Sequence, residues 1–234
     1  MDVREHGTLF SAPMVLALYD GKSQTRRVVT DRNSRGNWKP SQCDMATAWV
    51  DPGPSPAGNP GPYLKANVTA RDDGIVDRIY PQWQVRDRLW VRETFFDHGD
   101  NGDPSMPLDE RVEYRAEPWD RQCEDREAGP WTPSIHMPRK LSRLTLTLSG
   151  IRPERLQDIS EEDAVAEGIE RSDEPGIARW PFLGALHPIK GTPKVFATAV
   201  QAYRSLWDSL NAKRGYGWDA NPWVWVLAFA RVAT

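Results

Sequence analysis

Alternation of apolar and polar residues predicts β-strands along much of the chain. The clearest case is 143–152, where leucine recurs at every second position between serine, arginine and threonine, which is the period of a half-buried strand. Alternation or β-branched and aromatic content predicts further strands at 64–70, 88–96, 111–116 and 223–232. Strands of this number and length are sufficient for a small barrel.

Helical signals separate these strands at three places. Residues 11–19 read as a short helix with Ser11 as N-cap, and Gly21 follows as a C-terminal stop. A capped helix is predicted to end near Glu167, and 195–213 place apolar residues on one helical face. The predicted fold class is therefore α+β, with helices outside a sheet.

One stretch interrupts the periodic pattern. Residues 31–62 contain six prolines and four glycines, a composition typical of a long loop inserted into a domain. The aromatic residues in and beside it, Trp38, Trp49 and Tyr63, favour partial order. With 234 residues, 39% of them hydrophobic, the chain is expected to form one domain, 1–234, around one core.

Composition argues against several classes of protein. The apolar runs are far shorter than the ~18 residues of a membrane span, and the first residues lack the order of a signal peptide, so we expect a cytoplasmic protein that binds no membrane. Cys43 and Cys123 have no close cysteine partner. We therefore expect reduced thiols and no disulfide framework, structural metal or cofactor.

Charge is uneven along the sequence although its sum is small. The net charge of -3 argues against a protein that coats nucleic acid nonspecifically. Basic residues nevertheless concentrate in 22–39, 86–92 and 139–143, whereas 158–174 is mostly acidic. A focused site for an anionic or polynucleotide ligand and a surface with scattered charges both explain this pattern.

The densest chemistry lies in Gly21–Arg27, which reads G-K-S-Q-T-R-R. A lysine, a hydroxyl and two guanidiniums directly after a helix indicate a site for an anion or for catalysis. A solvated basic turn is the common alternative for a short motif of this kind.

Taken with three later motifs, this run resembles the ASCH family, a branch of the PUA-like fold. The later motifs are D-R-L-W-V-R-E at 87–93, L-x-D-I-S-E-E-D-A-x-x-E-G-I at 156–169, and N-P-W-V-W-V at 221–226. The chain is most similar to the longer ASCH-like proteins of phages and prophages. It is more distantly similar to the small amidohydrolases that deacetylate N4-acetylcytidine. The resemblance covers most of the chain and implies a small mixed PUA-like β-barrel with flanking helices.

The resemblance also implies a catalytic group. The small amidohydrolases use a lysine, a threonine three residues later and a glutamate at a helix end, which match Lys22, Thr25 and Glu167. A threonine hydroxyl needs a base, and lysine serves as one if burial or a nearby cation lowers its pKa. Glutamate then protonates the leaving amine or holds the lysine. Each residue has an alternative role. Lys22 would then only contact a phosphate, Thr25 would be an ordinary strand hydroxyl, and Glu167 would be an acid at a helix end.

Six residues are expected to contact substrate: Arg26, Arg27, Trp90, Arg92, His136 and Arg139. The arginines beside Thr25 would stabilise an oxyanion. The strand period places Arg92 on the same side as Trp90, and we expect Arg92 to line or floor the pocket. Packing in the barrel interior is the main expectation for Trp90, with stacking on a base as the alternative. For His136 a structural role is the alternative.

The function that the resemblance implies is recognition of a modified nucleobase or nucleotide, with hydrolysis of the amide of an N-acylated pyrimidine such as N4-acetylcytidine. One alternative is a non-catalytic reader of modified DNA or RNA bases, and another is an ASCH-type nuclease. The sequence leaves open whether the partner is a free nucleoside, RNA or DNA, and it leaves the oligomeric state open.

Overall fold

A computed structural model describes residues 3–37, 39–53, 62–69, 74–98, 111–116, 131–171, 178–179 and 195–232. Its strands are β1 (Glu5–Leu9), β2 (Gln24–Val28), β3 (Ser34–Arg35), β4 (Trp49–Asp51), β5 (Tyr63–Asn67), β6 (Val76–Pro81), β7 (Arg88–Arg92), β8 (Phe95–Asp97), β9 (Val112–Tyr114), β10 (Thr145–Arg155), β11 (Glu170–Arg171), β12 (Ala178–Arg179), β13 (Val195–Phe196) and β14 (Trp223–Arg231). Its α-helices are α1 (Ala12–Tyr19), α2 (Glu161–Ala166) and α3 (Ala199–Asn211).

Five strands form the main sheet, in the order β1-β7-β10-β14-β2. The first pair, β1 with β7, is parallel, and the other neighbours are antiparallel. Leu144, Leu146 and Leu148 are buried together, as the alternation in this segment predicts. In the centre of the sheet, residues 224–227 are wholly buried, because layers of structure cover both faces of β14.

The α+β class is confirmed, but the closed barrel is not. Among the described residues, no backbone pairing joins the edge strands β1 and β2. Side chains connect the two edges of this opening. Arg27 of β2 donates from Nη2 to the carbonyl oxygen of Leu9 in β1 at 2.8 Å, and its guanidinium lies 5.2 Å from the ring centre of the buried Phe10.

Part of the predicted insertion is ordered as a second sheet. Its four strands follow the order β3-β6-β5-β4, so 31–62 contributes two short strands in addition to loop. Tyr63 is buried in this sheet, while Trp49 is 42% exposed. Trp38 and residues 54–61 lie outside the described residues.

The remaining boundaries differ from the sequence-based ones by short lengths. The strand predicted at 88–96 is divided into β7 and β8. Between them, the buried carboxylate of Glu93 accepts two hydrogen bonds from Arg143. Ser11 takes the expected N-cap position of α1, but its side chain makes no capping hydrogen bond. Ser160 does cap α2, accepting a hydrogen bond from the backbone of Asp163.

Helices α2 and α3 are joined through one side chain. The carboxylate of Glu161, in the first turn of α2, accepts hydrogen bonds from the backbone of Ala199 and Val200. These donors would otherwise be unsatisfied in the first turn of α3. In the part of the chain that the structure describes, no helix combines the length and apolar content needed to cross a membrane.

Candidate functional site

A cavity of about 690 Å³ lies at the opening between β1 and β2. It is lined on the sheet side by residues of the G-K-S-Q-T-R-R motif and on the other side by α3. Five predicted site residues meet there: Lys22, Thr25, Arg26, Arg27 and Glu167. The expectation that the lysine, threonine and glutamate share one pocket is confirmed, and their catalytic role stays a prediction.

Two glycines bring the ends of α1 and α2 together. Gly21 has a positive φ of 98° and lets the chain leave α1, after which the backbone of Lys22 donates to Ala17 at 2.8 Å. Gly168, with φ of 96°, follows α2, and a Cβ at this position would lie 2.7 Å from the Cβ of Ala17. The close approach places Glu167 directly beside Lys22.

Lys22 and Glu167 form a buried ion pair. The ammonium Nζ lies 2.8 Å from Oε2 of Glu167 and also donates to the backbone oxygen of this residue at 2.5 Å. Burial lowers the pKa of Lys22, and the nearby guanidiniums of Arg27 and Arg26 add to this effect, whereas the carboxylate of Glu167 opposes it. The net direction is the one that a lysine base requires.

Arg26 is held by three carboxylates, one of which belongs to Glu167. Its fully buried guanidinium contacts Glu167 at 3.1 Å, and Glu154 and Asp163 at 2.8 Å each. Burial disfavours the charge, but Glu167 and Glu154 outweigh burial and raise the pKa of Arg26. Arg26 of the basic early segment is thus neutralised in part by Asp163 and Glu167 of the acidic segment. Binding of substrate by Arg26 stays a prediction.

Thr25 and Arg27 are better placed to meet a ligand. Thr25 lies in β2 opposite Leu227, is 1% exposed and lines the cavity. Burial lowers the pKa of Arg27, and its Nε has no hydrogen-bond partner among the described residues. A buried donor without a partner is costly, so a ligand acceptor near Arg27 would be stabilising.

Sequence reasoning missed a tyrosine in this cavity. Tyr203 of α3 is buried, lines the cavity and has its ring centre 5.9 Å from the Arg26 guanidinium carbon. Burial, followed by the negative charge of Glu167, raises the pKa of its hydroxyl well above the usual value. The hydroxyl is thus a hydrogen-bond donor at neutral pH. The helical period marks Tyr203 as apolar and core-facing, which conceals this polar role.

Four expected substrate contacts lie outside the described lining of this cavity: Trp90, Arg92, His136 and Arg139. The expectation that Arg92 lines or floors the pocket is wrong. Leu89 and Val91 take the core face of β7 with no exposed surface, so Trp90 and Arg92 occupy the opposite face.

On that opposite face, Trp90 is only partly buried, so interior packing is also wrong for it. The guanidinium carbon of Arg92 lies 5.3 Å from the Trp90 ring centre, and Arg92 donates to the backbone of Ile135. His136 is exposed, and exposed Arg139 pairs with Glu5 at 2.9 Å. Binding of substrate by these residues stays a prediction.

Other titratable groups are separate from the cavity. His6 lies 3.0 Å from the buried carboxylate of Asp87, and burial raises the pKa of the Cys43 thiol. Within the described ranges, no three histidine, cysteine, aspartate or glutamate side chains are arranged to hold a metal ion. Cys123 and His187 lie outside those ranges.

Comparisons of this chain with protein-family models, with curated proteins and with solved structures find no match. The resemblance to the ASCH family rests on the four sequence motifs.

Proposed function

We propose that the cavity binds a nucleobase or nucleoside and hydrolyses an N-acyl amide on it, such as the acetyl amide of N4-acetylcytidine. The observation that carries this proposal is the buried Lys22–Glu167 pair in a cavity that Thr25 also lines. The motif resemblance supports the same three residues. Phe10, Leu206 and Trp207 provide apolar lining, which suits the faces of a planar base.

The first step is activation of the threonine. The amine of Lys22 becomes available when its proton passes to Glu167, and burial, which lowers the pKa of Lys22, favours the neutral amine. The amine of Lys22 accepts the proton of the Thr25 hydroxyl as Oγ1 forms a bond to the acyl carbon. The oxyanion that develops is stabilised by the guanidinium of Arg27.

Collapse of the tetrahedral intermediate completes the first half of the reaction. The bond from the acyl carbon to nitrogen breaks, Glu167 gives its proton to the leaving amine, and the acyl group remains as an ester on Thr25. In the second half, Lys22 as the ammonium returns its proton to Glu167, and its amine then deprotonates a water molecule that attacks the ester. The bond from the acyl carbon to Oγ1 of Thr25 then breaks, Glu167 gives its proton to that oxygen, and the carboxylic acid leaves the site with the Thr25 hydroxyl restored.

The direct test follows the products. Purified protein is incubated with N4-acetylcytidine in the presence of a chelator, and cytidine and acetate are measured by chromatography. We expect the wild type to release cytidine and acetate in equal amounts. Lys140→Met should do the same, because it removes an exposed lysine that does not line the cavity. Lys22→Met should release neither. Absence of turnover by the wild type would contradict the hydrolase proposal.

A non-catalytic reader is the second candidate. It is favoured by the two hydrogen bonds from Lys22 to Glu167, which hold the ammonium as a fixed donor. A reader would bind the acylated base without turnover, and Thr25→Ala would then cost only about 0.5–1.5 kcal/mol of binding free energy, equivalent to one hydrogen bond.

A further inference from the structure

A second cavity adjoins the first at the C-terminal end of β2. Its volume is about 660 Å³. Three residues line both cavities: Val28, Thr30 and Arg214. A ligand that fills the first cavity can therefore extend past these residues into the second without leaving the protein surface.

Arg214 lies where the two cavities meet, and the N–H groups of its guanidinium are available to a ligand. It ends a single turn of 3-10 helix, Ala212–Arg214, before Gly215, and its side chain is exposed. Among the described residues, no hydrogen bond or ion pair engages its guanidinium. Arg27 and Arg214 both line the first cavity, so a ligand in that cavity has both guanidiniums on its walls. Burial is the main cause of the lowered pKa of Arg27, and the charge of Arg214 adds to it.

Lining charges in the second cavity favour an anion. Arg32 is exposed and, within the described ranges, makes no ion pair. Asp31 is the opposing carboxylate, and its oxygens accept hydrogen bonds from the hydroxyl and backbone of Ser41 at 2.6 and 3.0 Å. Arg155 is already used by the protein, since it donates to three backbone oxygens and lies 4.5 Å from the ring centre of Trp223.

The second cavity also offers an aromatic side chain. Tyr216 lines it and is half-buried. Proteins that bind single-stranded nucleic acid combine an aromatic ring with cationic side chains. A base stacks on the ring and a phosphate binds the cation. A free nucleoside has no phosphate, so it cannot form this contact with the guanidinium of Arg214.

We propose that the second cavity is a subsite for a nucleotide next to the acylated base, and that Arg214 binds the phosphodiester between the two. This inference rests on the proposed function of the first cavity and narrows its substrate from a free nucleoside to an oligonucleotide. RNA and DNA share the phosphodiester.

The test compares ligands of two lengths by isothermal titration calorimetry, using a Thr25→Ala protein to prevent turnover. The probes are N4-acetylcytidine and trinucleotides with this base in the centre, as RNA and as DNA. We expect at least one trinucleotide to bind about tenfold tighter than the nucleoside. Adding Arg214→Gln should weaken trinucleotide binding about five- to tenfold and reduce the salt dependence by about one phosphate contact, with nucleoside binding unchanged within about twofold.

Lys213→Gln is the matched control, because Lys213 is the exposed neighbour of Arg214 and lines neither cavity. Lys213→Gln should change neither the affinity for the nucleoside nor that for the trinucleotides. Arg32→Gln should weaken binding of the trinucleotides and leave binding of the nucleoside unchanged. Since Arg214 and Arg32 are exposed without described partners, both variants should keep the wild-type thermal midpoint.

The outcomes separate this inference from the proposed function. The subsite is refuted if both trinucleotides bind no tighter than the nucleoside, if Arg214→Gln weakens both ligand lengths equally, or if nothing binds. A trinucleotide without the acetyl group that binds equally well, with the same dependence on Arg214, supports the subsite while contradicting selection of an acylated base. Hydrolysis of the free nucleoside without any gain from trinucleotides leaves the proposed function standing and removes the subsite.

Discussion

Lys22 and Glu167, 145 positions apart in the sequence, form an ion pair of 2.8 Å with side chains only 1% and 4% exposed. The same carboxylate also contacts the buried guanidinium of Arg26 at 3.1 Å. One glutamate thus compensates two buried cations, and its removal affects both.

Neutralising this carboxylate should destabilise the fold. Glu167→Gln keeps the shape of the side chain but leaves Lys22 without an ionic partner, and loss of one partner in a buried pair costs roughly 3–5 kcal/mol. Because Arg26 keeps two other carboxylates, we expect a loss near the lower end, about 3 kcal/mol. Urea unfolding measures it.

The control for this prediction is Arg204→Gln. Arg204 pairs with Asp219 on the surface, where their side chains are 49% and 87% exposed. Its loss should change the free energy of unfolding by less than about 0.5 kcal/mol. If both substitutions lowered the free energy of unfolding equally, the buried pair would contribute no more to stability than the exposed pair.

The free energy of unfolding of the wild type minus that of Lys22→Met should increase as the pH rises in the alkaline range. The pKa of Lys22 is lowered in the folded protein from the ordinary value of 10.5. Below the folded pKa, lysine is charged in both states and burial penalises the folded one. As pH rises from the folded pKa to 10.5, the unfolded state binds more protons, so wild-type stability gains relative to the variant.

Urea unfolding at a series of pH values from neutral to alkaline provides this measurement. Groups that do not interact with Lys22 titrate alike in both proteins and cancel in the difference. A difference that falls steadily with pH would mean that the pKa of Lys22 is raised instead.

Gly168→Ala should be far more harmful than Gly215→Ala. Both glycines have positive φ, 96° and 82°, but a Cβ at Gly168 would lie 2.7 Å from the Cβ of Ala17, whereas nothing lies within 4 Å of one at Gly215. Gly215→Ala should cost only the backbone strain of about 1–2 kcal/mol. Gly168→Ala adds a steric overlap of about 1–3 kcal/mol.

The same comparison tests how the site is assembled. The overlap at Gly168 should also separate Glu167 from Lys22, so turnover should fall in Gly168→Ala and stay unchanged in Gly215→Ala. Thermal unfolding and activity, measured on the same samples, check both effects. Equal melting midpoints would contradict the close packing of α1 and α2.

Part of the fold follows from local pattern, and part does not. The alternation at Leu144, Leu146 and Leu148 predicts β10 because half of that strand faces the core. No comparable alternation marks β1, whose pairing depends on Gly7 giving space to the Trp90 ring. The closed barrel was wrongly predicted from strand number, because the number of strands does not tell whether the edge strands pair. Side chains of Arg27 and Phe10 lie where β1 and β2 would have to meet.

The site shows a similar division. The meeting of Lys22, Thr25 and Glu167 in one cavity was predicted from the resemblance to the ASCH family, because the residue types of a short motif do not identify a distant partner. The strand period correctly placed Trp90 and Arg92 on one side of β7, but a period does not tell which side faces a cavity. The role of Arg26 could not be predicted either, because its carboxylate partners come from distant segments that only the fold brings together.

One kinetic comparison tests most directly our proposal that the Thr25 hydroxyl is the nucleophile. Hydrolysis of N4-acetylcytidine is measured for wild type, Thr25→Ala and Ser23→Ala, with affinities measured in parallel. Ser23→Ala removes an exposed hydroxyl from the same motif and should change kcat by less than about twofold, whereas Thr25→Ala should lower kcat by roughly 10³-fold or more with affinity nearly unchanged. If Thr25→Ala retained more than about a tenth of the wild-type kcat, Thr25 would not be the nucleophile.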